Sequence, residues 1–330
     1  MELTLIQAVE DFLYTKSVSC VEKTITYYRD NLYKFITWYS ETYKLQHNEI
    51  MLNDLNNKIL NEYIIYLRNR TKFDGHPFHA GKHDEKISNN TIRTYQRALR
   101  IFLKYCYEEE YISLDLTKKF KYIRKTQSIV LPLYQDDVAK IDCMFNPKCM
   151  SGIRNLCIVH LMIDAGLRSG EVIRLNVGDV EFKKGIIFIN NSKFNKSRMV
   201  PLGVKLKQML HKYLIIYRGV AFDQSYDKHI NSEPFFLEIR KNDRITGDVV
   251  RCLFARIKRN TGIDRIYPHL LRHTFATSYI LGGGDLESLR MLLGHSDIKT
   301  TQKYIHLANT YRMMNPDIYR LDNVFFKTYY

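Results

Sequence analysis

Apolar residues recur at helical spacing through the first third of the chain. In residues 21–39, Ile25, Tyr28, Leu32, Phe35 and Tyr39 step by three and four, and Leu60, Tyr63, Ile64 and Leu67 do the same in 54–68. Each run predicts an amphipathic helix. Residues 88–107 carry two stripes at once. Ile92, Tyr95, Leu99, Phe102 and Cys106 make an apolar one, and Arg93, Arg97, Arg100 and Lys104 make a neighbouring basic one. Ser88 or Asn89 is the expected cap. One face suits packing in a bundle while the next meets phosphates, although a charged stripe is also what a plain solvated face looks like. A first helix is expected from about residue 4, and the Gly-, His- and charge-rich stretch around 71–87 reads as a long loop.

The pattern changes after residue 111. Residues 112–134 lose their periodicity, gain cations and contain Pro132, so the interdomain linker is expected at 116–134. This leaves a helical domain over 1–115 and a second domain over 135–330. Helices are expected near 135–145 and 151–165. Val180–Phe182, Ile186–Ile189 and Met199–Leu202 then read as short strands joined by tight turns, and helical stretches return to the C-terminus. The expected fold is mainly α with a small antiparallel β-sheet. Beyond Pro316, Ile318, Leu321, Phe325, Phe326, Tyr329 and Tyr330 make an apolar tail over 316–330, which invites docking on something.

Composition narrows the class. A chain of 330 residues with 45% hydrophobic and 26% charged residues is globular rather than disordered and suggests two domains. No run approaches the ~20 apolar residues of a membrane span, and the acidic start MELTLIQAVEDF does not read as a secretory signal. Six cysteines are scattered without a CxxC pair, which argues against a disulfide scaffold or cysteine zinc site and fits a reducing compartment. His76, His79 and His83 lie in the loop with no nearby cysteine; a solvated loop is the preferred reading over a metal site. Charge adds the positive clue. Lys and Arg number 50 against 35 Asp and Glu, net +15. Residues 1–125 hold 20 basic and 16 acidic side chains, net +4, and the remainder 30 and 19, net +11. An excess of this size points to a polyanion, nucleic acid first.

Four segments of the second half then stand out together: AGLRSGEVIRL (165–175), NNSKFNKSRMVPLG (190–203), HLLRHTFAT (269–277) and LLGHSDIKTTQKYIHL (292–307). Each is weak alone. In this order and spacing they resemble the catalytic motifs of the tyrosine recombinases, the integrase family that includes Xer and phage integrases. The resemblance covers nearly the whole chain, with 4–110 similar to the family's helical core-binding domain and 130–330 to its catalytic domain.

The resemblance implies the roles. Arg168 and Arg272 correspond to the arginines that clamp the scissile phosphate, Tyr304 to the nucleophile and Lys193 to the hairpin general acid, with Lys196 its competitor. His269 would help remove the tyrosine proton, and His295, at a position filled by His or Trp, would hydrogen-bond the phosphate. Glu171 would orient the basic residues from behind, with His273 a structural neighbour. Arg93, Arg97, Arg100, Lys104, Lys196 and Arg198 are the expected DNA contacts. The chemistry suits these residue types: a pentacoordinate phosphorane gains negative charge, which a planar guanidinium fork meets, and a phosphotyrosyl link conserves bond energy without ATP. No cofactor and no metal are expected. Phe194 departs from the small residue common after the hairpin lysine, the 71–87 loop looks like an insertion, and no room is left for an arm-binding domain. The implied activity is site-specific recombination through a 3′-phosphotyrosyl intermediate and a Holliday junction, for a mobile element or for chromosome-dimer resolution. The expected partners are double-stranded DNA with inverted core sites, a homotetramer on paired sites, in which the 316–330 tail serves subunit exchange by packing on the neighbouring subunit rather than folding back on its own domain, and an accessory DNA-bending or excision factor, in the cytoplasm at the nucleoid. A type IB topoisomerase-like enzyme and a catalytically silent DNA-binding relative are the alternatives.

Overall fold

The computed structural model describes residues 3–72, 85–124, 130–190, 197–220 and 232–314. The chain divides into two compact units, Met1–Ser128 and Ile129–Tyr330. Lys193, Lys196, the 316–330 tail and most of the 71–87 loop lie outside the described residues.

The first unit holds helices α1 (Leu5–Ser17), α2 (Glu22–Tyr43), α3 (Asn57–Asn69) and α4 (Asn89–Glu108). Thr4 opens α1 with a reciprocal capping box to Gln7, and Ser88 caps α4 through the Thr91 amide at 3.2 Å. Each of these caps satisfies an amide that the first turn leaves unpaired. The apolar stripes converge as expected: Leu32, Phe35, Leu60, Tyr63, Ile92, Leu99 and Phe102 are buried in one core.

Residues 116–123, expected as linker, instead belong to this unit. Leu116, Phe120 and Ile123 are buried in the same core. Gln96 explains why. Buried on α4, its amide donates to the Lys121 carbonyl (3.2 Å) and accepts from the Ile123 amide (3.0 Å), so it acts as a short splice for an otherwise irregular strand of chain.

The second unit contains α5 (Gln135–Cys143), α6 (Met150–Ile163), α7 (Ser169–Arg174), strands β1 (Val180–Glu181), β2 (Ile186–Ile189) and β3 (Arg198–Pro201), α8 (Val204–Lys212), strands β4 (Leu237–Glu238) and β5 (Asp243–Arg244), α9 (Gly247–Thr261), α10 (Pro268–Leu281), α11 (Leu286–Leu293) and α12 (Lys299–Met314). The sheet is antiparallel in the order β1-β2-β3, with Ile187 opposite Val200 and Ile189 opposite Arg198. Helix α6 is buried along nearly its whole length, and its Ile153, Ile158, Val159, Leu161 and Met162 anchor the main core. A smaller cluster of Ala276, Leu289, Leu293 and Tyr304 joins α10, α11 and α12. Among the described residues no helix is long and apolar enough to cross a membrane.

Candidate active site

Four local structures bring the site together. The turn after α6 puts Gly166 in the left-handed region (φ +65°), where an added Cβ would strike the Phe275 ring at 2.4 Å. Glycine is therefore required on both conformational and steric grounds. That turn delivers Arg168 to the start of α7. Strand β3 supplies Arg198, α10 supplies His269, Arg272 and His273, and α11 ends at Gly294 (φ +63°) just before His295. An added Cβ on Gly294 would lie 3.1 Å from the Arg198 side chain.

Glu171 is the hub. Its side chain is only 4% exposed. Arg198 binds it with both Nη groups, at 2.9 and 2.8 Å. Arg168 reaches it through Nη1 at 2.9 Å and through its own backbone amide at 2.8 Å, and Arg272 lies 3.9 Å away. Burial alone would raise the Glu171 pKa; the paired guanidinium of Arg198, then the Arg168 amide and charge, outweigh it and hold the carboxyl at about 2. Arg198, expected on the DNA-facing surface, is thus turned inward: its side chain is 9% exposed and its Nε donates to the Leu292 carbonyl at 2.7 Å. Strand alternation supplies the reason, because Arg198 shares the face of buried Val200 while Met199 and Pro201 are exposed.

Arg272 is buried and held by the backbone on two sides. Nη1 donates to the Gly166 carbonyl and Nη2 to the Leu293 carbonyl, both at 2.5 Å. Burial and then the charge of Arg168 draw it down to about 9, which leaves it charged at neutral pH. Its Nη2 also faces His295 Nε2 at 3.3 Å. A guanidinium only donates, so Nε2 accepts and the ring proton sits on Nδ1, which meets the Thr301 hydroxyl at 2.9 Å. Burial, followed by Arg272, Arg168 and Lys303, lowers His295 to about 4. In this state His295 steadies Arg272; its Nε2 has no proton to offer a phosphate.

Tyr304 is 2% exposed, on α12. Burial lifts its hydroxyl to about 12, while Arg272 and Arg168 pull against that rise. His295 stacks parallel to the ring (centroids 6.5 Å apart, 10°), and Lys303 Nζ lies 4.9 Å from the ring centroid. The hydroxyl is 2.9 Å from His273 Nδ1. His269 is exposed one turn earlier; its pKa is lowered by the protein packed against it and then by Arg272, Arg168 and Lys303. Of the eight catalytic and supporting residues expected from sequence, Arg168, Glu171, Arg272, His273, His295 and Tyr304 therefore lie around one concentration of positive charge, with His269 at its exposed edge and Lys193 outside the described residues.

Thr301 and Lys303, on the same helix as Tyr304, also belong to the site. Thr301 is fully buried one helical turn before Tyr304, and that i, i+3 spacing in TTQKY is the signal that places it on the tyrosine's face. Among the described residues no group of three or more His, Cys, Asp or Glu side chains could hold a metal ion.

Comparison with known proteins follows the same division. Residues 133–310 match the Phage integrase family, and residues 4–122 match the phage integrase SAM-like domain. The chain belongs to the phage integrase family, the tyrosine recombinases. Tyrosine recombinase XerC of Thermodesulfovibrio yellowstonii is 30% identical over 221 residues, 67% of this chain and 72% of that one. Two solved structures share the family's fold at lower identity. The XerH site-specific recombinase bound to a palindromic difH substrate, in a post-cleavage complex, superimposes with TM-score 0.67 at 20% identity, covering 96% of this chain and 84% of that one. The Tn1549 transposon integrase in complex with a circular intermediate DNA gives TM-score 0.67 at 14% identity, with coverages of 94% and 99%.

The basic stripe of α4 splits in two. Arg93 donates to the Ile123 carbonyl, and Arg100 donates to the Phe120 carbonyl and, at 2.6 Å, to that of Thr117. Both lie against the Tyr122 ring, at 4.8 and 5.0 Å. Arg97 and Lys104 are exposed, Lys104 standing 3.4 Å from Glu108. Half of the stripe therefore ties down residues 117–123, and half faces solvent.

Proposed function

We propose that this protein is a site-specific recombinase that cuts and rejoins double-stranded DNA through a 3′-phosphotyrosyl bond to Tyr304. The observation that carries the reading is the pair Arg168 and Arg272, fixed around Glu171 and the Gly166 carbonyl within electrostatic reach of the Tyr304 hydroxyl. Guanidiniums already locked in place need no reorganisation as charge builds on phosphorus. In the step itself the Tyr304 oxygen bonds to phosphorus, the bond from phosphorus to the 5′-oxygen breaks, and the departing oxygen takes a proton from Lys193. Positive charge comes from the arginines, so neither metal nor ATP enters.

The XerH and transposon integrase structures hold DNA, which supports duplex DNA as the substrate here. Two such cuts, exchanged between partner strands, give a Holliday junction. That sequence calls for four protomers on paired inverted sites, whether the purpose is dimer resolution or movement of an element, with an accessory bending or excision factor joining where the element requires it. Arg97 and Lys104 provide phosphate contacts from the helical unit.

The test uses duplex sites selected from a random library by covalent trapping. Wild type should form a denaturant-stable adduct on nicked site DNA in excess EDTA, and Tyr304→Phe should bind the same DNA and form none. Loss of the wild-type adduct in EDTA, restored by Mg²⁺, contradicts the metal-free step. Relaxation of single-site plasmids without any exchange between paired sites would favour a topoisomerase instead.

A further inference from the structure

A buried tyrosine with a hydroxyl near 12 is a poor nucleophile, since at pH 8 only about one molecule in 10⁴ carries the phenolate. Something must take its proton as the oxygen attacks. His269, the residue the family resemblance offers for this, makes no hydrogen bond to Tyr304 among the described residues. His273 does. Its Nδ1 lies 2.9 Å from the hydroxyl, within proton-transfer distance, and the two rings pack 5.4 Å apart.

We propose that His273 Nδ1 is the proton acceptor for Tyr304. The inference rests on the reading of Tyr304 as nucleophile. The Tyr304 oxygen forms its bond to phosphorus, the phenolic proton passes to Nδ1, and an imidazolium results. When the 5′-hydroxyl attacks the phosphotyrosine, the same proton returns to the tyrosine oxygen.

The surroundings suit the task. Burial first, then Lys303 on α12 and His269 and Arg272 on its own helix, bring His273 to about 4, so it is neutral at physiological pH and free to accept. Among the described residues these groups, with the Tyr304 hydroxyl, are the titratable and charged groups that face it. Arg272 is one of the cations that depress it, and a phosphodiester seated on Arg168 and Arg272 places negative charge there, which offsets that part of the depression. Nucleophile activation is thereby coupled to DNA binding: the base is weak in the empty protein and improves when the phosphate arrives.

The experiment is the pH dependence of single-turnover adduct formation on nicked site DNA, with saturating protein, from pH 7 to 9. Wild type should be nearly flat over this range, because the base is fully deprotonated once DNA is bound. His273→Gln keeps a side chain that can hydrogen-bond Tyr304 but cannot take its proton. It should bind DNA normally, react about 10²–10³-fold more slowly at pH 7 and gain about tenfold per pH unit. His269→Gln should keep the flat profile. A His273→Gln enzyme with wild-type rate and profile overturns the proposal while leaving Tyr304 in place as nucleophile. Should that variant not fold, wild type alone decides, since a wild-type rate that climbs tenfold per pH unit shows a pre-ionised tyrosine and no base. Absence of any wild-type adduct overturns this assignment together with the nucleophile reading.

Discussion

The two units of this protein use arginine in opposite ways. In the catalytic unit, Arg198 and Arg272 are turned inward: the Glu171 carboxylate and the Leu292 carbonyl fix the first guanidinium, and the Gly166 and Leu293 carbonyls with His295 fix the second. On α4 of the helical unit, Arg93 and Arg100 also reach carbonyls, but their work is to hold residues 117–123, while Arg97 and Lys104 stay exposed. Burial with a carboxylate hub gives a rigid cation that chemistry can rely on. Exposure gives a mobile, hydrated one that suits adjustable phosphate contacts. The same residue type thus serves catalysis, scaffolding or binding according to what neutralises it.

The largest break in this contrast should come from Glu171→Gln. It leaves three guanidiniums close together without their carboxylate, and removing one partner of a buried ionic group costs about 3–5 kcal/mol. The urea transition of the catalytic unit, followed by circular dichroism, should move to markedly lower denaturant. Fluorescence of Trp38, the chain's single tryptophan and a residue of the first core, should barely respond. Acid should act through the same residue. Glu171 sits at about 2 in the folded protein against an ordinary 4.5, so its contribution is present above pH 4.5 and is lost as pH falls through about 2. In Glu171→Gln that acid-sensitive portion should be missing.

Alkali should act elsewhere in the same unit, with a smaller effect. His160 on α6 is buried between Asp142 and Asp164, 2.7 Å from each. Burial pulls its pKa down, but the two carboxylates prevail and raise it to about 9. A raised pKa stabilises the fold below the unfolded value of 6.5 and ceases to do so as pH climbs through 9, a span worth about 3 kcal/mol at most. His160→Gln should flatten the decline of urea stability between pH 6.5 and 9. An equal decline in both proteins would show that His160 carries none of it.

The helical unit should show smaller and separable effects. Arg100→Gln leaves the carbonyls of Thr117 and Phe120 without their shared donor and should cost about 1–2 kcal/mol, read by Trp38 fluorescence. Arg97→Gln with Lys104→Gln should leave stability unchanged and flatten the salt dependence of DNA binding by about 0.9 log unit for each phosphate no longer neutralised. If Arg100→Gln alone flattens the slope, the division of the stripe into anchor and DNA-facing halves is wrong.

Much of this organisation is readable from spacing. The helices with clear apolar stripes fall where the pattern puts them, as α2, α3 and α4 show, because a 3.6-residue period leaves little choice of buried face. The β2–β3 pairing is equally legible from its alternation. What sequence hides is the fate of polar side chains. Residues 116–123 look like linker, yet the buried Gln96 amide, together with Arg93 and Arg100, ties that stretch to the core. Arg198 looks like one more hairpin cation until strand register turns it inward onto Glu171. His273, the second histidine of HLLRH, is indistinguishable from a structural neighbour until α12 brings Tyr304 within 2.9 Å. Such partnerships depend on elements far apart in the chain, which no local periodicity encodes.

The contrast between fixed and mobile arginines is tested most directly by measuring single-turnover cleavage and DNA affinity side by side in Arg272→Lys and Arg97→Gln. Lysine keeps the charge at 272 but cannot reach the Gly166 and Leu293 carbonyls together as a planar fork does. If that contrast holds, Arg272→Lys loses about 10²-fold or more in cleavage rate with its Kd within a few-fold of wild type, and Arg97→Gln weakens binding while the saturated cleavage rate holds. Loss of rate and affinity in the same proportion in both variants would contradict it.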